Sequence, residues 1–315
     1  MDVLEPKQRS LLKALKAGDR RAIGRAITLA ETNSTQAGSL FREIQPNTGR
    51  GHIIGVTGPP GSGKSTLIDG LISALRKLSH TVAVVAVDPS SPVSGGAILG
   101  DRLRMASHNA DEGVFIRSLS TRGHLGGLIP SVHNVANILE IAGFNHIILE
   151  TVGTGQSEIE IADIAQTTVV LCPPGAGDDV QALKAGVLEI ADILVVNKED
   201  LHGADKTVQL LKAVLTLRAP GHKKAQVIKT CATTGRGIDE LVTLIKHHYT
   251  TISRNTDNML REKSRRLLAT KAAALLMQEL LDARNSELDT ICAAFERGER
   301  TLAQCVREAL KLKSH

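Results

Sequence analysis

The chain has 315 residues, a formal net charge of +5 and 42% apolar residues, with one Tyr, four Phe and no Trp. That length can bury a substantial core, and the core has to be built from Val, Ile, Leu and Ala rather than aromatic rings. The basic residues are interspersed with acids and few rings are available to stack on bases, which argues against a nucleic-acid partner. No apolar run reaches the roughly 18 residues needed to cross a bilayer, which argues against a membrane protein, and Met1-Asp2-Val3-Leu4-Glu5 does not read as a signal peptide. Cys172, Cys231, Cys292 and Cys305 have no C-x-x-C spacing and read as reduced thiols of a cytoplasmic protein.

Residues 1–48 are predicted to be a helical extension. Leu11, Leu12 and Leu15, then Ile23, Ile27 and Leu29, recur at helical intervals, and Gly18-Asp19 breaks the pattern between two helices. Gln45-Pro46-Asn47-Thr48-Gly49 reads as a linker. From 49 to 249 the chain alternates. Apolar β-type runs at 52–57, 81–88, 114–119, 146–152, 167–173, 192–198 and 226–232 are separated by amphipathic stretches at 63–78, 128–143, 178–190, 204–218 and 237–249. Strands of near-continuous Val, Ile and Leu separated by helices predict an α/β fold, with a mostly parallel sheet covered on both faces and ligands held at the carboxyl ends of its strands. Residues 250–315 return to helical periodicity, with Leu267, Leu268, Ala272, Leu275, Leu276 and Leu280 in one stripe. That region either packs on its own core or forms an arm for self-association.

The first β-type run leads into Gly58-Pro59-Pro60-Gly61-Ser62-Gly63-Lys64-Ser65-Thr66, and an amphipathic helix follows. Strand, G-x-x-x-x-G-K-[ST] and helix, in that order, are the context of a phosphate-binding loop. Glycines let backbone N–H groups turn inward onto phosphate oxygens, and the helix adds its positive end. Lys64 is predicted to reach the β- and γ-phosphates, and Ser65 to supply a hydroxyl to Mg²⁺. The residue range 49–249 is therefore a P-loop nucleotide-binding domain.

Asn197-Lys198-Glu199-Asp200 closes a later strand in the N-K-x-D pattern of GTP-binding proteins. The Asp200 carboxylate can accept from both N1–H and N2–H of guanine, whereas adenine would leave it desolvated and unpaired. Lys198 would lie along the base, and Asn197 would tie neighbouring loops together. Cys231-Ala232-Thr233-Thr234-Gly235-Arg236-Gly237-Ile238 resembles the S-A-x-x-G-x-G-[IL] loop whose backbone meets guanine O6, with Cys in the place of Ser. Glu150, at the end of an apolar run and followed by Thr151-Val152-Gly153, stands where GTPases carry a metal-linked carboxylate and a glycine that senses the γ-phosphate. With Ser65, Asp88 and Asp101 it forms a candidate Mg²⁺ set. Thr154, not glutamine, follows Gly153, so Gln156 is the nearest candidate for positioning the attacking water. Lys184, Arg102, Arg104, Arg117 and Arg122 are cations that could neutralise developing charge. The adjacent His247-His248 reads as a solvated helix end.

Taken together, G-P-P-G-S-G-K-S-T at 58–66, V-D-P-S-S-P…G-D-R-x-R-M at 87–105, T-R-G-x-L-G-G-L at 121–128, E-T-V-G-x-G-Q-S-E at 150–158, P-G-A-G-D-[DE]-x-Q at 174–181 and V-N-K-x-D at 196–200 resemble the methylmalonyl-CoA mutase-associated GTPases. An older name of this family is the ArgK or LAO/AO transport-system kinases. The resemblance is strong over about 50–240 and looser at the helical ends. It implies a homodimeric GTPase that chaperones an adenosylcobalamin-dependent acyl-CoA mutase, using GTP/GDP and Mg²⁺, with the C-terminal helices as the region for dimerisation. It also implies two switch segments, 88–104 and 150–163, and a further partner-facing loop at 174–189. Two rival functions share parts of this pattern, a nickel-inserting GTPase and a kinase of a transport component. The dispersed histidines argue against the first and the guanine motif against the second.

Overall fold

The structure is a computed structural model that describes residues 4–32, 37–45, 48–88, 105–108, 110–120, 129–151, 156–175, 185–217, 225–253, 256–282 and 286–312. Its centre is a seven-stranded sheet of β1 (His52–Thr57), β2 (Val82–Asp88), β3 (Val114–Ser120), β4 (His146–Thr151), β5 (Thr167–Cys172), β6 (Ile193–Asn197) and β7 (Gln226–Thr230) in the order β3-β2-β4-β1-β5-β6-β7. Every neighbouring pair is parallel. All seven predicted strands are present within two residues of their expected ends.

Alternation along the strands sends successive side chains to opposite faces. Ile53, Val85, Ile147 and Leu149 enter one apolar core, and Ile54, Val56, Val84 and Ile148 enter another. The second face is covered by α4 (Lys64–Lys77), through Leu67, Ile68, Leu71 and Ile72, and by α9 (Ile238–Ser253), through Leu241 and Ile245. The first face is covered by α5 (Ile129–Ile141) and α6 (Gln156–Ile164), the latter a short helix that the apolar periodicity had not singled out. Beyond β5 and β6, α7 (Ala185–Ile190) and α8 (Ala204–Thr216) close a smaller core around Val170, Leu194, Val196 and Leu211.

The two predicted N-terminal helices are α1 (Pro6–Lys16) and α2 (Arg20–Glu31), and a third, α3 (Ala37–Ile44), lies in the same region beyond the break expected at Gly18-Asp19. Asp19 caps α2 by accepting from the Ala22 backbone N–H at 2.6 Å. Leu15, Ile23, Ile27, Leu40 and Ile44 are fully buried and belong to the same core as α5 and the first sheet face. Arg20 donates to the Val114 carbonyl, and Arg117 on the edge strand pairs with Glu31 at 3.0 Å. Arg117 is thus held by the N-terminal helices, which corrects the reading of it as a cation for the nucleotide.

At the other end of the chain, α10 (Thr256–Asp282) runs for 27 residues and carries Leu268 and Leu275, seven residues apart, with 70% and 47% of their surface exposed. Leu267 packs against the main core. Ile291 and Ala294 of α11 (Ser286–Glu296) and Cys305 and Ala309 of α12 (Leu302–Lys311) are the buried faces of a helical pair.

The amino-terminal edge of the sheet is lined with imidazoles. His52 opens β1 and its Nε2 lies 2.8 Å from Thr167 Oγ1, while its ring stacks on Tyr249 at a centroid distance of 4.2 Å. His146 opens β4, and its Nε2 lies 2.9 Å from His80 Nδ1. Burial, reinforced by neighbouring imidazoles, pushes the His52 pKa down to about 3 and that of His146 down to about 4. His248 sits inside α9, only partly exposed, with its Nε2 3.2 Å from Asp192 and its Nδ1 2.9 Å from Thr167 Oγ1. It is a structural residue and not the solvated helix end expected from sequence.

Candidate nucleotide-binding site

The P-loop connects the end of the central strand β1 to the start of α4. The turn is closed by the Ser62 N–H donating to the Pro59 carbonyl at 3.2 Å. Gly63 has φ +92°, and a Cβ there would collide with the Asn197 amide, so both conformation and space require glycine at this position. Lys64 is only 8% exposed, and its ammonium donates to the carbonyls of Gly58 at 2.8 Å and Pro59 at 3.1 Å. The cation is therefore held over the loop rather than spread into solvent. Gly61 and Pro60 lie on the exposed outer part of the turn, with Thr66 exposed on the first turn of α4.

Ser65 and Glu150 come together as the sequence predicts. Ser65 Oγ donates to Glu150 Oε1 at 2.9 Å, and the two residues are 6% and 4% exposed. A hydroxyl and a carboxylate at this separation form a hard-oxygen donor pair whose chemistry fits Mg²⁺. Thr151 Oγ1 donates to Thr57 Oγ1 at 2.7 Å and ties the ends of β4 and β1 beside this pair. Asp88 closes β2 one residue beyond the Val87–Thr151 register pair, so its backbone reaches the same sheet edge. Asp101, Gly153 and Lys184 lie outside the described residues, as do Arg102, Arg104 and Arg122. Gln156 opens α6.

Asn197, at the end of β6, connects three segments. Its Nδ2 donates to the Ser62 carbonyl at 2.8 Å, and its Oδ1 accepts from Thr230 Oγ1 and from the Ala232 N–H, each at 3.1 Å. Lys198 adopts a left-handed φ of +61° and donates from Nζ to the Gly61 carbonyl at 2.8 Å. The N-K-x-D loop is thereby bound to the P-loop at two points. The Cys231 thiol donates to the Asp200 carboxylate at 3.3 Å and lies 3.3 Å from Thr233 Oγ1. The Cys231 N–H donates to the Arg236 carbonyl at 3.0 Å, fixing the turn that precedes α9. Sequence reasoning expected only a backbone role for this loop. The thiol bond to Asp200 was not anticipated, although a Cys standing where hydroxyl residues are usual was the sign of it.

Among the described residues no group of three or more His, Cys, Asp or Glu side chains is arranged to hold a metal ion, and no helix is long and apolar enough to cross a membrane. Cys172, buried in β5, has its thiol pKa raised to about 12 by desolvation and offers no reactive thiolate.

The sequence model of the family described as "Methylmalonyl Co-A mutase-associated GTPase MeaB" matches residues 23–289. A putative GTPase of Pyrococcus horikoshii is 50% identical over 242 residues, which cover 76% of each chain. The GTPase ArgK of Escherichia coli is 36% identical over 244 residues, covering 73% of this chain and 72% of that one. Among solved structures, one described as a LAO/AO transport system kinase superposes over the whole of both chains with a TM-score of 0.77 at 23% identity, a likeness of fold. With its P-loop and its N-K-x-D loop joined at one sheet edge, the chain is a GTPase and belongs to the methylmalonyl-CoA mutase-associated GTPase family.

Proposed function

We propose that this GTPase is a cytoplasmic, nucleotide-controlled chaperone of an adenosylcobalamin-dependent acyl-CoA mutase, gating cofactor loading and protecting the mutase. The observation that carries this reading is the family match over residues 23–289, whose description names the mutase association. Within it, Gly58 to Thr66 cradle the phosphates, with Lys64 neutralising the β- and γ-phosphates. Ser65 would hold Mg²⁺, with Glu150, Asp88 and Asp101 as the carboxylates proposed to serve it. When bound, the ion would spread the charge that develops on the transferred phosphoryl group. Asp200 reads guanine N1–H and N2–H, the Cys231–Ala232–Thr233 backbone meets O6, and Lys198 flanks the base.

The Ser65–Glu150 bond supports a switch, because the carboxylate at the end of β4 is also the first residue of segment 150–163. Gly153 would sense the γ-phosphate there, and Gln156 or Lys184 would act on the attacking water or the developing charge. Segments 88–104 and 174–189 complete the nucleotide-sensitive surface. With no glutamine directly after Gly153, hydrolysis by the protein alone is slow. The exposed Leu268 and Leu275 on α10 support self-association into a homodimer.

A ligand drives a switch only through different affinities for its two states, and coupling between binding sites is reciprocal. The test is titration with a purified adenosylcobalamin-dependent mutase while nucleotide affinity and phosphate release are followed. The expected result is a shift in the affinity for GTP relative to GDP, together with GTP-dependent cofactor transfer. Unchanged nucleotide affinity with nucleotide-indifferent transfer overturns the chaperone function while leaving the GTPase intact.

A further inference from the structure

The N-terminal helices enclose a groove of about 740 Å³. Its volume is in the range of small-molecule sites, about 300–1,000 Å³. Leu11, Leu29 and Leu40 give it an apolar floor continuous with the main core. Its rim carries Lys7 from α1 and Arg21 and Arg25 from α2. Among the described residues, these three side chains have no hydrogen-bond or ion-pair partner. Arg117 adds a fourth cation from the edge strand, already paired with Glu31. Among the described residues the one acid lining the groove is Glu5, which is engaged in a capping box with Gln8 at the start of α1.

Gly24 is the least expected residue in this groove. It lies inside α2, where glycine costs about 1 kcal/mol relative to alanine. No neighbouring atom demands it, since a Cβ built there would meet nothing within 4 Å. Its effect is to leave open the space between Arg21, Arg25 and Leu29. Three cations with no partner among the described residues, set around an apolar floor and kept accessible by a helix-weakening glycine, are the complement of a molecule with an anionic head and an apolar tail.

We propose that this groove is a second ligand site, distinct from the nucleotide site, for an acyl compound with a polyanionic head. The tail lies over Leu11, Leu29 and Leu40, and the phosphate or carboxylate groups meet Lys7, Arg21 and Arg25. The proposal does not depend on the mutase partnership and stands or falls on ligand binding alone.

Octanoyl-coenzyme A is the probe, titrated calorimetrically into the full chain saturated with GDP and Mg²⁺ so that the P-loop cannot take its phosphates. Coenzyme A and octanoate serve as the two halves. The expected result is one site per chain, with octanoyl-coenzyme A bound at least tenfold more tightly than either half and more weakly as salt rises. Gly24→Leu fills the groove, and Arg21→Ala with Arg25→Ala removes its exposed charge. Each variant should lower affinity at least tenfold while GDP affinity stays as in the parent protein and thermal unfolding comes at no lower a temperature, Gly24→Leu itself strengthening α2. Absence of binding, or binding that survives both variants, overturns the proposal. So does coenzyme A binding as tightly as its octanoyl thioester, since the apolar floor would then have no part.

Discussion

The two edges of the sheet solve the same problem in opposite ways. Both bury polar side chains at the ends of β1 and β4, which are neighbours in the sheet. At the carboxyl edge, Lys64 and Glu150 are retained in nearly full burial and are given partners, two backbone carbonyls for the ammonium and a serine hydroxyl for the carboxylate. At the amino edge, His52 and His146 are buried among rings and a hydroxyl and are held in the neutral form. Burial alone therefore does not decide how a polar side chain is accommodated. What decides it is whether oriented dipoles or opposite charges take the place of water.

The sharpest way to break this contrast is to remove the cation at the carboxyl edge. Lys64→Ala should reduce GTP hydrolysis on the order of a thousandfold or more, about 4 kcal/mol of transition-state stabilisation, when phosphate release is measured at saturating GTP. The fold should persist, because Lys64 stands at the P-loop and outside the apolar cores on the two sheet faces.

Acid tests the amino edge. In the unfolded chain these imidazoles take up protons near pH 6.5, whereas in the folded protein they resist until pH about 3 for His52 and about 4 for His146. The unfolded state thus binds more protons below pH 6.5. Stability is full above that value and falls as pH drops toward 4, by about 4 kcal/mol for the pair at pH 5. The surrounding groups include His80 and Lys246, which disfavour a further positive charge on His146, and His248 and Asp192 beside Thr167. Urea unfolding at several pH values measures the slope. His52→Phe, which can keep the stack on Tyr249, should flatten it by one proton; an unchanged slope would mean that His52 is not the titrating ring.

Next in size is base recognition. Asp200→Asn should weaken GTP by about 2–4 kcal/mol and shift preference toward xanthosine triphosphate, whose C2 oxygen needs a donor. Equal affinities of the parent protein for ATP and GTP would end the guanine assignment. The smallest effect is expected at Cys231. Cys231→Ser should keep a donor on Asp200 and leave GDP affinity within about 0.5 kcal/mol, whereas Cys231→Ala should cost about 1 kcal/mol.

The strands, their parallel arrangement and the nucleotide loops were legible because each rests on a local rule. Uninterrupted Val and Ile runs mark strands covered on both faces, and G-x-x-x-x-G-K-[ST] after β1 has few other uses. What escaped the sequence depends on contacts between distant residues. The pairing of Arg117 with Glu31 turned a candidate catalytic cation into a tie between β3 and α2. His248 looked solvated beside His247 because nothing in the neighbouring sequence reveals Asp192 and Thr167 across the sheet edge. The N-terminal helices were readable as helices, but their burial against α5 follows from packing that periodicity does not encode.

Asn197 touches the phosphate loop through Ser62 and the base loop through Thr230 and Ala232, and so it fixes the interval between the two. The site consequently works as a gauge of length as well as of chemistry. With the two loops in the roles proposed for them, a nucleotide must carry its base and its phosphates at the distance this side chain sets, and once one end is seated the other is presented at high effective concentration. Guanosine and inorganic phosphates, supplied as separate molecules, forfeit that advantage even though each can form its own contacts. Discrimination against such fragments is thus built into a single amide at the carboxyl end of β6, where it rests against the P-loop.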